Sequence, residues 1–293
     1  YQKRTVGSLI VEGAMGRESL RFGSLLDAIL GLEFVSPTGK VVHTGGQTVK
    51  NVSGYDFTRL FTRSWGTLGL ITSVTFRLQP CLEEVALLRA KVINLQTGLY
   101  LAARALGSNL SLLSVRLTGQ RDEKKLLYTL DVRMGGFSET VQEHVHKMKT
   151  EILGLAEHIE QTRDLDLENP AFQDGSGHMF IHGRGHLRAI TSFASELEEL
   201  CARGIISGLY IDFARREIRL ALSNVGSGEP VSETIGLARK AGLKLDIEPV
   251  QPDRIFTKIK AAIDPYEVFP SFEFMRPRPL NETFVVEPER EVI

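Results

Sequence analysis

The chain has 293 residues, 42% hydrophobic and 24% charged, a composition typical of a globular protein with one large domain or two ordinary ones. A formal net charge of −1 argues against nucleic acid as the main partner, because phosphate binding needs a concentrated basic surface. No apolar run in the sequence approaches the length of a membrane span, and residues 1 to 20 lack the basic and then apolar plan of a signal peptide.

Cysteine is scarce in this sequence. Cys81 and Cys201 are the two cysteines, and no Cys-x-x-Cys motif occurs. Two cysteines without a targeting signal predict reduced thiols and a cytoplasmic protein. The same count argues against an iron–sulfur cluster or a structural zinc site built by this sequence alone.

The first quarter of the chain is rich in glycine. Residues 5 to 23 carry so many glycines among their apolar residues that we expect no stable helix there. A hairpin is predicted next, from Leu32–Ser36 and Val41–Thr44 with Pro-Thr-Gly-Lys between them. A short helix is predicted over Tyr55–Thr62, and five glycines lie around it, at positions 45, 46, 54, 66 and 69. Glycine lets the backbone pass close to another group, but this spacing alone fits two tight turns at least as well as a ligand site.

Leu70–Leu78 alternates in character and predicts a strand that Pro80 ends. Strict alternation would place Leu70 on one face with Val74, and Ile71 on the other.

Residues 82 to 250 change character, because glycine thins out and amphipathic segments follow one another. A β-α-β-β-α order occurs twice and predicts one antiparallel sheet with helices packed on one face, a ferredoxin-like α+β arrangement. The first unit consists of Glu84–Ile93, Gln96–Leu106, Ser111–Leu117, Lys125–Arg133 and Ser138–Leu155. The second consists of His178–His182, Leu187–Ala202, Ile205–Asp212, Glu217–Leu222 and Val231–Ala241, and is closed by the strand Leu243–Ile247. The polar segment Asp164–Gly177 between the units is predicted to be a mobile loop.

The glycine-rich part resembles a known family. Its ordered motifs are Gly7-Ser8-Leu9-Ile10-Val11, Gly16, Arg21-Phe22-Gly23, Asp27, Gly54-Tyr55-Asp56-Phe57 and Gly66-Thr67-Leu68-Gly69-Leu70-Ile71-Thr72. They are similar to the FAD-binding domain shared by flavoproteins of the vanillyl-alcohol-oxidase and p-cresol-methylhydroxylase (PCMH) type. Within that family, the run from Gly45 to Asp56 is most similar to the smaller FAD-binding subunits of the three-subunit bacterial glycolate oxidases.

The resemblance implies an α+β fold, the second half of a PCMH-type FAD-binding domain followed by a cap domain. We expect the partial FAD-binding domain at 1–80, the cap at 81–250, a return segment at 251–275 and a disordered tail at 276–293. The return segment contains a short predicted helix, Arg254–Ala262, and then Asp264-Pro265, which resembles the family's closing motif. Glu267 stands where that motif has glycine.

The resemblance also implies FAD as the cofactor. The cofactor-binding residues that it implies are Gly7, Ser8, Gly13, Gly16, Gly23, Asp27, Gly54, Tyr55, Gly66, Gly69, Leu70 and Ile71. Ser64 could add a hydroxyl donor, and neither a catalytic residue nor a metal site is assigned. In the family a glycine-rich loop upstream of the matched motifs holds much of the diphosphate. We therefore expect this sequence to be N-terminally incomplete and to bind FAD weakly by itself.

The implied function is FAD-dependent oxidation of a small 2-hydroxy acid such as glycolate. The implied partners are a catalytic flavoprotein subunit and an iron–sulfur subunit that receives the electrons, in the cytoplasm or peripherally at a membrane through those partners. Gly13 and Trp65 depart from the residues of the catalytic relatives, which have Asn and Glu there, and this favours a partner role. The alternative is a non-catalytic structural subunit that keeps the fold and has lost flavin binding.

Two sets of side chains remain open in function. His178, His182 and His186 would share a face of a strand, where they could bind a metal, supply a base or simply be solvated. His144 and His146 lie about 200° apart on a predicted helix and cannot act together. Arginines that could bind a substrate carboxylate, or be solvated instead, are Arg184, Arg188, Arg215 and Arg216.

Overall fold

The computed structural model describes residues 5–14, 16, 18–46, 57–122, 125–152, 154–163, 179–223, 229–247 and 254–269. Gly54, Tyr55, His178, the predicted loop Asp164–Gly177 and the predicted tail at 276–293 lie outside these ranges. The described residues form two compact units, one from 5–82 with 254–269 and the other from 83–247. Within these ranges, no helix is both long and apolar enough to cross a lipid bilayer.

The described helices and strands, in chain order, are α1 Val6–Glu12, α2 Ser19–Phe22, α3 Leu25–Ala28, β1 Ile29–Val35, β2 Val41–Gly45, α4 Phe57–Phe61, β3 Leu70–Phe76, β4 Glu84–Val92, α5 Leu95–Leu106, β5 Leu112–Asp122, β6 Lys125–Gly136, α6 Ser138–Ile152, β7 Ala156–Arg163, β8 Met179–Arg184, α7 Leu187–Glu196, α8 Glu198–Ala202, β9 Ile206–Asp212, β10 Glu217–Leu222, α9 Glu229–Lys240, β11 Lys244–Ile247 and α10 Arg254–Ile263.

The first unit is built on a three-stranded antiparallel sheet in the order β2-β1-β3. The predicted hairpin is confirmed, since Val35 pairs with Val41 across its turn. One side of this sheet packs on an apolar core in which the rings of Phe34 and Phe61 lie 4.1 Å apart between centroids. The other buried members of the core are Ile10, Ile29, Leu32 and Leu68, and Ile259 and Ile263 of α10 pack against it.

The expectation that residues 5 to 23 form no helix is wrong. Val6–Glu12 is α-helical, because Thr5 caps its start by accepting a hydrogen bond from the backbone N–H of Ser8. Gly13 ends it in the left-handed conformation, with φ of 68°. The helix is two turns long and buries Ile10, so packing outweighs the low helix propensity of Gly7.

The strict alternation predicted for Leu70–Leu78 is also wrong. A register shift between β1 and β3 pairs Glu33 with Ser73 but Phe34 with Ile71, so one extra residue of β3 bulges there. Ile71 and Val74 therefore both pack toward the core, while the side chain of Leu70 is exposed.

The second unit confirms the predicted antiparallel sheet. Its eight strands lie in the order β11-β8-β10-β9-β5-β6-β4-β7, and every described pair is antiparallel. In the first half of the sheet the strands lie in the order β7-β4-β6-β5, so the fourth strand of the half is followed by its first, third and second. The second half has the same order, β11-β8-β10-β9. The two halves join through β5 and β9, where Arg116 lies opposite Asp212.

Two elements of this unit differ from the prediction. The edge strand β7 was not predicted, because Ala156–Arg163 is polar and lacks an apolar face, and its pairing with β4 creates it. The predicted helix Leu187–Ala202 is divided at Leu197 into α7 and α8.

The helices lie on one face of the large sheet. A Cβ added to Gly98 of α5 would come within 2.6 Å of Leu117 Cδ1, so α5 packs closely over the Leu117 side of β5. Because side chains alternate along a strand, Arg116 and Thr118 point to the opposite face.

Candidate functional site

Three of the predicted cofactor residues, Gly13, Gly66 and Gly69, lie at the end of α1 and in the loop that follows α4, residues 62–69. We call residues 62–69 the Gly66 loop. The backbone N–H of Trp65 donates to Val11 O over 2.9 Å, and the N–H of Arg63 donates to Ile10 O over 3.4 Å. Arg63 and Trp65 have positive φ angles of 66° and 55°, so this loop adopts a backbone that side-chain-bearing residues seldom use.

Two features of the Gly66 loop fit an absent cofactor. Gly66 has φ of 74°, and no heavy atom of the described residues lies within 4 Å of the position that its Cβ would take. Ser64 is fully buried, and its Oγ has no hydrogen-bond partner among the described residues. A buried hydroxyl without a partner costs free energy that a ligand acceptor could recover. The open glycine and the unpaired donor are what a closely approaching anionic dinucleotide requires.

Other predicted glycines are explained by the protein itself. An added Cβ would lie 2.3 Å from Arg63 Cγ at Gly13 and 2.7 Å from Asp27 Oδ2 at Gly23. At Gly69 it would lie 2.9 Å from the Val35 carbonyl oxygen. Gly45, in the same glycine-rich stretch, would place a Cβ 2.2 Å from Leu30 O, so β1 is the group its backbone passes. Gly7 and Gly16 leave more room, since the nearest described atom to a Gly7 Cβ is 3.9 Å away and none lies within 4 Å at Gly16.

The remaining predicted site residues serve local structure. Asp27 accepts hydrogen bonds from the N–H and the Oγ of Ser24, both at 2.7 Å, which cap α3 and lower the pKa of the Asp27 carboxyl. Ser8 Oγ donates to Thr5 O over 2.8 Å. Leu70 is 60% exposed, and Ile71 packs against the core.

Lys260 on α10 is a residue of this region that sequence reasoning missed. Its Nζ donates to Thr67 O in the Gly66 loop over 2.8 Å, to Phe269 O over 2.9 Å, and to the carboxylate of Asp264. Asp264 is buried and also accepts from the N–H groups of Val268 and Phe269, each at 2.9 Å. Burial alone would raise the pKa of Asp264, but the hydrogen bonds from Lys260 and the two N–H groups hold it below its ordinary value. The available signal was the spacing of Lys260 and Asp264, which are four residues and so one helical turn apart.

A second set of functional candidates lies on the large sheet of the second unit, on the face opposite the helices. We call this the polar face. Cross-strand pairing places one charged residue of each strand in a single row, which runs Glu160, Arg89, Asp131, Arg116, Asp212, Glu217, Arg184 and Lys244. The row follows the two-fold repeat of the sheet. Arg89 faces Asp131 in the first half as Arg184 faces Glu217 in the second, and Arg116 and Asp212 meet at the join.

Asp212 is the buried carboxylate at this join. Its side chain is 1% exposed and lies 3.3 Å from Arg116 Nε and 3.6 Å from Arg215 Nε. It also accepts from the N–H groups of Ala214 and Arg215, at 3.1 and 3.0 Å, and the hydroxyl of Tyr210 lies 3.2 Å away. Burial, then the neighbouring Asp212 charge, raises the pKa of Tyr210 to about 12, so its hydroxyl stays protonated near neutral pH.

Glu217 is the second buried carboxylate, also 1% exposed. His182 Nε2 lies 3.1 Å from it, Arg219 Nε 2.5 Å and Arg184 Nη2 3.5 Å. Burial by itself would raise the pKa of Glu217, but the adjacent His182 imidazole and the charge of Arg219 hold it far below its ordinary value. This carboxylate is therefore ionised at neutral pH.

Arginine side chains lie around the buried carboxylates in this part of the polar face. Arg116, Arg215, Arg219 and Arg184, with the His182 imidazole, surround the two carboxylates of Asp212 and Glu217. Of the four arginines predicted to bind a carboxylate, the structure brings Arg184 and Arg215 into this cluster. Arg188 and Arg216 lie exposed to solvent.

The histidines that the sequence singled out are separated. His186 is exposed at the start of α7, while His182 faces the Glu217 carboxylate, and His178 lies outside the described residues. His144 accepts a hydrogen bond from the Ser111 N–H over 3.0 Å. In the described part of the chain, no three His, Cys, Asp or Glu side chains are grouped so that they could hold a metal ion.

No family model matches the chain. Glycolate oxidase subunit GlcD of Bacillus subtilis is 39% identical over 94 residues, which are 32% of this chain and 20% of that protein. D-lactate dehydrogenase of Archaeoglobus fulgidus is 39% identical over 84 residues, 29% of this chain and 19% of that protein. Glycolate oxidase subunit GlcE of Escherichia coli is 34% identical over 79 residues, 27% of this chain and 23% of that protein. The chain thus matches about a fifth of the length of these relatives.

Solved structures match over a larger part of the chain. Alkyldihydroxyacetonephosphate synthase superimposes with a TM-score of 0.59 and 12% identity, covering 90% of this chain and 57% of that one. The FAD-containing glucooligosaccharide oxidase from Acremonium strictum superimposes with a TM-score of 0.52 and 14% identity, covering 90% of this chain and 70% of that one. Chitooligosaccharide oxidase superimposes with a TM-score of 0.56 and 14% identity, covering 90% of this chain and 69% of that one. The predicted fold is confirmed: the chain has the α+β fold of these proteins over 90% of its length, with an antiparallel α+β unit that follows the first unit along the sequence.

Proposed function

We propose that the chain is part of an FAD-dependent oxidoreductase, related to glycolate oxidase and D-lactate dehydrogenase, that oxidises a small 2-hydroxy acid. The observation that carries the proposal is the Gly66 loop, with its open glycine and the buried, unpaired hydroxyl of Ser64. The named relatives and the shared fold support the same cofactor.

FAD would be held by the first unit. Gly66 and Gly16 leave room for the cofactor beside the backbone, and Ser64 Oγ can donate to one of its polar atoms. When bound, FAD would supply the two-electron acceptor for the hydride equivalent that leaves C2 of the acid. The contribution of this chain is to bind and orient the cofactor.

The substrate carboxylate would be held by the polar face of the second unit. Four guanidinium groups lie around two buried carboxylates there, and the partly exposed guanidinium of Arg184 could also bind an added anion. A guanidinium binds a carboxylate with two parallel hydrogen bonds, which also orients it. Arg184 is the most accessible of the four, with 38% of its side chain exposed.

We further propose that the chain acts as a flavin-binding subunit of the GlcE type, beside a catalytic flavoprotein subunit, and passes electrons to an iron–sulfur partner. Two of the relatives are named glycolate oxidase subunits. Two cysteines in 293 residues are too few for a four-thiolate cluster, so the cluster would lie outside these residues. The scarcity of cysteine also supports a cytoplasmic location.

A second candidate function is a structural subunit that has lost flavin binding. The observation in its favour is that Gly13, Gly23 and Gly69 are explained by close contacts within the protein. Glycines preserved by packing would persist without a cofactor.

Substrate binding can be tested with a matched pair of variants. Arg184→Gln removes a guanidinium from the polar face, and Arg188→Gln removes an exposed one from α7. In the full-length protein and its complex, we expect Arg184→Gln to raise the KM for the 2-hydroxy acid at least tenfold, about 1.4 kcal/mol of lost binding. Arg188→Gln should leave the KM within twofold of wild type. Equal KM values for the two variants would contradict the carboxylate site.

A further inference from the structure

Lys260 makes a set of contacts that matches the capacity of its ammonium group. The side chain is 12% exposed, and its three N–H donors meet three acceptors: Thr67 O, Phe269 O and the Asp264 carboxylate. Two of these acceptors belong to the turn that follows α10. The third lies 193 residues earlier in the sequence, in the Gly66 loop. One side chain therefore ties the return segment to that loop.

The Gly66 loop has a backbone that needs such support. Arg63, Trp65 and Gly66 all have positive φ angles, and a non-glycine residue in this conformation costs about 1 to 2 kcal/mol. Within the loop, Thr67 donates to Ser64 O from both its N–H, over 3.0 Å, and its Oγ1, over 2.7 Å. Thr67 and Ser64 thus move together, and Lys260 holds the carbonyl of Thr67 from outside.

We propose that Lys260 is a positioning residue for the flavin, which holds the Gly66 loop in the shape that presents Gly66 and Ser64 to the cofactor. The proposal rests on the proposed function. Lys260 acts through the carbonyl of Thr67, one residue from Gly66 and three from Ser64. Its effect on FAD affinity should therefore exceed its effect on the stability of the unit.

The test uses the full-length protein and three variants. Lys260→Met keeps the aliphatic length and removes the donors. Lys260→Met/Asp264→Asn also removes the buried carboxylate charge, so that this variant folds if an unpaired Asp264 prevents folding of the single variant. Ile259→Ala is the matched control, because Ile259 is the neighbouring residue on α10 and packs against the same apolar core. Thermal unfolding ranks the stabilities, and titration with FAD gives the Kd of each apoprotein.

The expected result is a Kd for FAD at least tenfold higher in both Lys260 variants than in wild type, and within threefold of wild type in Ile259→Ala at a comparable loss of stability. Amide hydrogen exchange of residues 63–69 in the apoprotein should be faster in the Lys260 variants than in Ile259→Ala, since the loop loses its outside anchor. Equal Kd values for the Lys260 variants and the control, or a loop that exchanges no faster, would overturn the proposal. A wild-type protein that binds no FAD would overturn the proposed function and this inference with it, and the wild-type titration identifies that case.

Discussion

Arg116 Nε lies 3.3 Å from Asp212 Oδ2, and this pair joins the two halves of the eight-stranded sheet. The two residues are directly opposite each other on β5 and β9, with side chains 12% and 1% exposed. The Arg89 and Asp131 pair of the first half repeats as Arg184 and Glu217 in the second, whereas Arg116 and Asp212 are equivalent positions with opposite charges. The repeat therefore carries complementary charges where its halves meet.

The Arg116 and Asp212 pair should be coupled in stability. We expect Arg116→Met to lower the free energy of unfolding by about 2 to 3 kcal/mol, because it leaves Asp212 buried with less positive charge around it. The expected loss is smaller than for a buried carboxylate that loses all its partners, because Asp212 keeps its contacts with Arg215 and two backbone N–H groups. Urea unfolding of Arg116→Met, Asp212→Asn and the double variant completes a double-mutant cycle. Additive losses would contradict the coupling, for which we expect about 1 to 3 kcal/mol.

The stability of the second unit should depend on pH through Glu217. Its folded pKa lies below the ordinary value of 4.5, so the unfolded chain binds its proton first as the pH falls. The stabilisation from Glu217 is therefore complete above pH 4.5 and is lost as the pH falls below that value. Unfolding of wild type and Glu217→Gln should differ most at neutral pH and converge in acid. A difference between the two proteins that stays constant with pH would show that Glu217 is not the group responsible.

Replacement of Glu267 by glycine should stabilise the folded protein. It has φ of 51° and stands where the resembled closing motif has glycine, so its backbone is in a conformation that favours glycine. We expect Glu267→Gly to raise the free energy of unfolding by about 1 kcal/mol. Glu267→Ala removes the same exposed side chain while keeping the Cβ, so it should give no such gain. Similar gains for both variants would mean that the side chain, and not the backbone, is the source.

Gly69 and Gly66 should respond differently to alanine. A Cβ at Gly69 would lie 2.9 Å from the Val35 carbonyl oxygen and 3.2 Å from the Phe34 and Phe61 rings, so Gly69→Ala should cost about 1 to 3 kcal/mol of stability. A Cβ at Gly66 would have no described atom within 4 Å, so Gly66→Ala should lower the free energy of unfolding by about 1 kcal/mol, through the positive φ alone.

Flavin affinity separates these two glycines further. If FAD lies beside Gly66, Gly66→Ala should weaken FAD binding by more than its stability loss explains, measured by titration of the full-length apoprotein. The opposite ranking, with Gly69→Ala the more harmful to flavin affinity at matched stability, would place the cofactor elsewhere.

Local patterns in the sequence predicted most of the elements of the second unit. Alternation along segments such as Lys125–Arg133 and amphipathic periodicity along Ser138–Leu155 identify strands and helices without knowledge of their neighbours. The sequence pattern does not predict strand β7, because its polar residues form a strand only through pairing with β4. Helix α1 was not predicted, because glycine disfavours helix interiors. Gly13, however, lies at the end of the helix and terminates it.

The candidate site depended more on contacts between distant residues. The glycine series located the Gly66 loop, but the open space at Gly66 and the packing at Gly69 differ because of what lies across from each. Lys260 reaches a loop 193 residues away, and no local pattern encodes that contact. The charged row of the polar face likewise follows from the register of eight strands, which the sequence does not state.

The central claim, that this protein binds FAD through the Gly66 loop, is tested most directly by titrating apoprotein of the full-length chain with FAD while recording the visible absorption spectrum. The account predicts a stoichiometric complex with the bands of an oxidised flavin, and a Kd raised at least tenfold by Ser64→Ala, which removes the buried hydroxyl and keeps the Cβ. A full-length protein without flavin bands at saturating FAD, or a Ser64→Ala variant that binds FAD as tightly as wild type, would contradict it.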